Sequence, residues 1–114
     1  MPRSRASDAA FSPQVFHILL ALADGPLHGY AIMQVIEQDT DGSISLGPGT
    51  LYGAIRRLSE EGLIEETRAR RGEEEGRRYY KLTAHGRAAV SGEAARLAKL
   101  LNVARARRML PESA

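Results

Sequence analysis

Cysteine is absent from this 114-residue chain. That excludes a disulfide framework and a thiolate zinc site. No apolar run approaches the roughly 20 residues that span a bilayer, so no membrane partner is expected. Residues 1–10 lack the apolar core of a signal peptide, which points to the cytoplasm. Chemistry-bearing clusters are scarce as well. The three histidines, His17, His28 and His85, fall on three different elements. No paired carboxylate stands in an apolar setting, and neither a Ser-His-Asp arrangement nor metal-ligand spacing occurs. The reading is therefore no enzyme, no catalytic residue, no metal and no cofactor. Net charge is only +2, a weak pull on any polyanion.

What is present reads as one globular domain, with 43% apolar and 26% charged residues. Arginines gather late: Arg56, Arg57, Arg68, Arg70, Arg71, Arg77 and Arg78. Each is matched by a glutamate among Glu60, Glu61, Glu65, Glu66, Glu73, Glu74 and Glu75. A basic surface exists only if the fold puts the two signs on different sides.

Five elements follow from local signals. Ser12 is a good N-cap, Pro13 suits the first helical position, and Phe11 and Phe16 stand where a hydrophobic staple needs them. The first helix runs through PQVFHILLALAD to the Gly25–Pro26 stop, apolar nearly all round and hence largely buried. LHGYAIMQVIEQDTDG is the second helix, with Ile32, Val35 and Ile36 on one face, followed by an extended SISL. GPGTLYGAIRRLSEEG is the third. On a wheel of about 100° per residue, Leu51, Ala54, Ile55 and Leu58 face inward, while Tyr52, Gly53, Arg56 and Arg57 face out. Leu63 to Arg70 and Arg77 to Leu82 pair as a hairpin around the loop Gly72 to Gly76. Thr83 caps a last helix that runs to about Met109, with Val90, Ala94, Leu97, Leu101 and Ala104 at coiled-coil spacing and Leu100 widening the seam.

The fold class is mainly α with a small β-hairpin (α+β): a winged helix-turn-helix plus a long C-terminal dimerisation helix. The expected organisation is a mobile arm at 1–10, the winged domain at 11–83, the dimerisation helix at 84–109 and a tail at 110–114. In this order of elements the third helix enters a major groove and the wing reaches the backbone or minor groove.

The outer face of the third helix suits DNA. Gly47 and Gly49 allow close backbone approach, Thr50 and the free amides at the helix start suit a phosphate, Tyr52 a phosphate or base edge, and Arg56 a guanine. The bland reading is that Arg56 pairs with Glu60 and Arg57 with Glu61. Arg70, Arg71, Arg77 and Arg78 flank the wing tip, whose glutamates would repel a phosphate. A winged-helix protein–protein interaction module without specific DNA binding therefore stands as the alternative. The last helix cannot bury its seam alone; Phe11, with Phe16 and Leu20 of the first helix, is expected to join it in a homodimer interface.

LHGYAIMQVIE, GTLYGAIRRLSEEGLIEE and RRYYKLTAHGR together resemble the PadR family of bacterial transcriptional regulators, in its compact form with one helix after the wing. The resemblance implies a homodimeric regulator, usually a repressor, on palindromic double-stranded DNA. It places Tyr30 of HGY toward the DNA or the recognition helix, and Thr50, Leu51 and Tyr52 in the recognition motif. Gly53 stands where many members have proline. Some compact members bind aromatic drugs through a tryptophan of the last helix; this chain has no tryptophan. A small-molecule effector, if the chain has one, is of unknown identity.

Overall fold

The computed structural model describes residues 11–68 and 76–111. In chain order it holds α1 (Pro13–Ala21), β1 (Leu27–His28), α2 (Gly29–Asp39), α3 (Pro48–Glu60), β2 (Ile64–Thr67), β3 (Tyr79–Leu82) and α4 (Ala84–Ala106). The strands form one antiparallel sheet in the order β1-β3-β2, with Glu66 opposite Tyr80 and Leu27 also opposite Tyr80. The fold is α+β, as the sequence pattern indicates.

Each helix starts and stops for a local reason. The Ser12 hydroxyl accepts the Val15 amide at 3.2 Å, and Phe11 stacks on Phe16 with centroids 6.4 Å apart. α3 ends in a Schellman motif: Leu63 N–H donates to the Leu58 carbonyl and Gly62 N–H to that of Ser59, with Gly62 at φ +77. A residue with a Cβ is strained there, and Leu58 and Leu63 are both buried beside it. Core residues come from every layer: Ile18, Leu19 and Leu22 near α1, Ile32 and Ile36 on α2, the inward face of α3, and Leu63, Ile64, Tyr80 and Leu82 around the sheet.

α4 is fastened to the end of α3. Thr83 Oγ1 donates to the Gly62 carbonyl at 2.6 Å and accepts the Gly86 amide at 2.9 Å, and Thr83 N–H donates to the Leu63 carbonyl at 3.1 Å. Gly86 lies directly against that same carbonyl; a Cβ on it would overlap the Leu63 oxygen.

Several expectations need correction. α1 closes at Leu22, whose amide bonds the carbonyls of Leu19 and Leu20, so Ala23 and Asp24 are turn residues. It is also not buried all round, since Gln14 and Leu20 are exposed and Val15 and Phe16 only half-buried. Leu27 and His28 belong to a strand, not to the second helix. β3 begins at Tyr79, so Arg77 and Arg78 precede it, and α4 ends three residues before Met109. β2 stops at Thr67 among the described residues. On α4, Val90 is buried but Ala94 is exposed, and a carboxylate, Glu93, is buried between them at 8% exposure. Arg96 donates to both Glu93 oxygens, at 2.9 and 2.8 Å, and holds that carboxyl below its usual range.

Candidate nucleic-acid interface

The structure gathers several of the sequence-expected residues around one cleft. It has a volume of about 370 Å³ and is lined by His28, Gly29, Tyr30, Tyr52, Arg77, Arg78 and Tyr80. Three elements meet there: the start of α2, the outer face of α3 and the approach to β3.

His28 builds the first wall. Its Nδ1 accepts the Ala31 amide at 3.1 Å and so caps α2. An Nδ1 that accepts leaves the ring proton on Nε2. The ring meets Tyr79 edge-on at 5.3 Å, and Arg77 Nη1 lies 3.3 Å from Nδ1. Gly29 then makes room for Tyr52. A Cβ there would collide with the Tyr52 hydroxyl and stand 2.7 Å from Cζ. The obstacle is the far end of a side chain, which can swing away. Gly29→Ala is therefore expected to displace Tyr52 at under about 1 kcal/mol. NMR should show shifted Tyr52 ring signals with the melting temperature nearly unchanged; unshifted ring signals would show that the glycine does not seat Tyr52.

Tyr80 closes the back. It sits on central strand β3, buried, with its neighbour Tyr79 turned to the other face of the sheet. Burial pushes the Tyr80 phenol above its usual range, Glu66 and Tyr52 add to that, and Arg78 pulls it back. The phenol therefore stays protonated and able to donate. Arg78 in turn lies 3.9 Å from Glu66.

Beside the cleft, the start of α3 is open. Gly47 is the N-cap with no side-chain cap bond, and the first intrahelical bond runs from Leu51 N–H to the Gly47 carbonyl. The amides of Gly49 and Thr50 precede that bond and carry the positive end of the helix dipole. Among the described residues, apart from the adjoining backbone, nothing lies within 4 Å of where a Cβ on Gly47 or Gly49 would stand. At Gly53 the same test meets only Arg57 Nη1, at 3.9 Å. Among the described residues the ion pairs are Arg78–Glu66, Lys81–Glu65 and Arg96–Glu93. Neither Arg56 nor Arg57 takes part in one, so the bland alternative, their pairing with Glu60 and Glu61, does not form. Tyr30 and Tyr52 are 56% and 43% exposed. Arg70, Arg71 and Glu73 to Glu75 lie outside the described residues.

The family model of the transcriptional regulator PadR-like family matches residues 18–92. The chain belongs to the PadR-like family. Its members are transcription regulators, not enzymes. An uncharacterised 37.1 kDa protein in transposon TN4556 of Streptomyces fradiae is 49% identical over 84 residues, 73% of this chain. The chain spans 22% of that protein's length. Among solved structures, a transcriptional regulator from Clostridium thermocellum superposes with a TM-score of 0.65 at 26% identity, covering 80% of this chain and 88% of that one. Bacillus subtilis PadR in complex with operator DNA superposes with a TM-score of 0.59 at 24% identity, covering 70% and 45%. At that identity the second likeness speaks for the shared winged-helix fold. No helix among the described residues is long and apolar enough to cross a membrane.

His28 and Gly29 were not singled out as site residues from sequence, nor was Tyr80. For the first two a signal existed: a residue able to accept a hydrogen bond, followed by glycine, at the start of an apolar-periodic segment. Nothing local marks Tyr80, whose neighbours in the cleft include Tyr30 and Tyr52, far earlier in the chain.

Proposed function

We propose that this PadR-like chain is a homodimeric, sequence-specific DNA-binding regulator that acts as a repressor on a palindromic operator. In this reading the start of α3 approaches the duplex. Gly49 and Thr50 offer amides to a phosphate, Tyr52 and Arg56 meet base edges, Arg57 and Tyr30 flank them, and Arg77 and Arg78 hold the backbone beside the wing. Arg70 and Arg71 are assigned to the same backbone role from sequence alone. Dimerisation uses Phe11, Phe16 and Leu20 with the seam of α4.

The observation that carries the reading is the outer face of α3. Its glycines have ordinary space around them, and Gly47 has an ordinary φ of −77. The fold does not need glycine there, whereas a closely approaching duplex does. Gly53→Ala separates the two demands. It is expected to stabilise α3 by about 0.8–1 kcal/mol, read as a higher melting temperature, while weakening operator binding. A stabilised variant with unchanged DNA affinity would remove the clearance argument.

Fluorescence anisotropy against a duplex recovered by in vitro selection tests the whole reading. Affinity should fall steeply with salt as phosphate contacts release counterions. Arg56→Ala should cost about 1–3 kcal/mol at one base position. Equal binding to every duplex, or none, sinks the proposal. A promoter–reporter assay decides repression: expression should rise when the chain is removed.

A further inference from the structure

A second groove adjoins β1 at Leu27. Its volume is about 230 Å³, and its walls include Pro26, Leu27, Val35 and Leu20, the last shared with the proposed dimer interface, with Asp24 and Asp39 beside them. Two helices end here. Ala21, the last residue of α1, lines the groove, and so does Asp39, the last residue of α2. Neither helix has a basic residue in its last turn. Two negative dipole ends and two carboxylates therefore converge on an apolar-walled groove. Among the described residues neither Asp24 nor Asp39 is in an ion pair. The nearby Arg87 guanidinium donates to the Ala23 carbonyl at 3.3 Å instead.

We infer that this groove binds a small organic cation: an ammonium carried on a compact aromatic or alkyl body. The apolar walls take the body, and the two carboxylates take the charge. An anion of the same shape meets two carboxylates, and a neutral analogue keeps only the apolar contacts. The volume limits the ligand to a single ring or a short chain.

β1 connects the groove to the interface described above. Leu27 lines the groove and His28 lines the cleft beside α3. The two residues are consecutive in β1, so the two sites adjoin at this strand. Displacing Leu27 shifts His28, which caps α2 and contacts Tyr79 and Arg77. Only the regulatory consequence rests on the proposed DNA role of that cleft; the binding itself does not.

The test is an amide NMR titration of the ¹⁵N-labelled full chain, without DNA. Three probes share one body: phenethylammonium, 2-phenylethanol and phenylacetate. Phenethylammonium should give saturable shifts at Asp24, Gly25, Leu27 and Asp39, carried across the sheet to His28 and Tyr79. The alcohol should bind roughly tenfold more weakly, and phenylacetate should leave the groove unshifted. Asp24→Asn with Asp39→Asn should weaken the cation by roughly tenfold and leave the alcohol unchanged. Both carboxylates are exposed, so the fold should survive, and the free variant's spectrum checks it. Comparable binding of phenylacetate, an unaffected double variant, or no saturable shift in the groove overturns the inference. Groove shifts that follow protein concentration alone, with no response to the cation, assign it to a second copy and also overturn it.

Discussion

Gly86→Ala should cost the fold about 3 kcal/mol, at the upper end of what overpacking a tight contact costs. The new methyl would overlap the Leu63 carbonyl oxygen and stand 2.9 Å from its carbon. Leu63 cannot retreat, because its amide is bonded to Leu58 at 2.9 Å and its carbonyl to Thr83 at 3.1 Å. For about 100 residues each kcal/mol is worth about 4–8 °C, so melting should fall by about 12–24 °C. Gly92→Ala on the same helix is the control. Among the described residues, apart from its own helix backbone, nothing lies within 4 Å of its added Cβ, and it should stabilise by up to about 1 kcal/mol. If the two variants melt together, α4 does not need the close approach at Gly86.

Leu97→Glu with Leu101→Glu should turn a dimer into a monomer. The last buried residues of α4 are Val90 and Glu93, and beyond them its large apolar side chains are exposed: Leu100 at 53% and Leu101 at 44%. A helix of 23 residues reaches about 34 Å, more than three short helices can shield. Light scattering should give twice the chain mass for the parent and one chain mass for the variant, with helix content retained. Losing the second recognition helix should lower operator affinity by about 10²–10⁴-fold. A parent that is monomeric at micromolar concentration ends the dimer proposal.

How legible was this in the sequence? Local chemistry carried well. Ser12 and Thr83 cap as their types suggest, Gly62 stops α3, and the wheel for Leu51, Ala54, Ile55 and Leu58 matches their burial. What failed was non-local. β1 is two residues long and has no periodicity of its own; it exists because β3 offers it a partner, so Leu27 read as helix. The sequence reading did not mark Glu93, because the Arg96 that satisfies it lies one turn along and its burial comes from packing between elements, not from a local signal. The role of Gly29 depends on Tyr52, 23 positions away, and no window that short contains both.

The junction of Gly62, Leu63, Thr83 and Gly86 has a mechanical consequence. It joins the end of α3 to the start of α4 through hydrogen bonds and a backbone contact in adjacent residues, so the two helices turn as a crank and its shaft. In a dimer joined through α4, the angle at which the two shafts cross then gauges the distance between the two recognition helices. Rotating a shaft of about 34 Å by about five degrees moves its end about 3 Å, close to one base-pair step. The spacer in the operator would therefore read out the α4 crossing angle. A substitution far from the DNA, along that shaft, would change which spacer is preferred before it changed which bases are read.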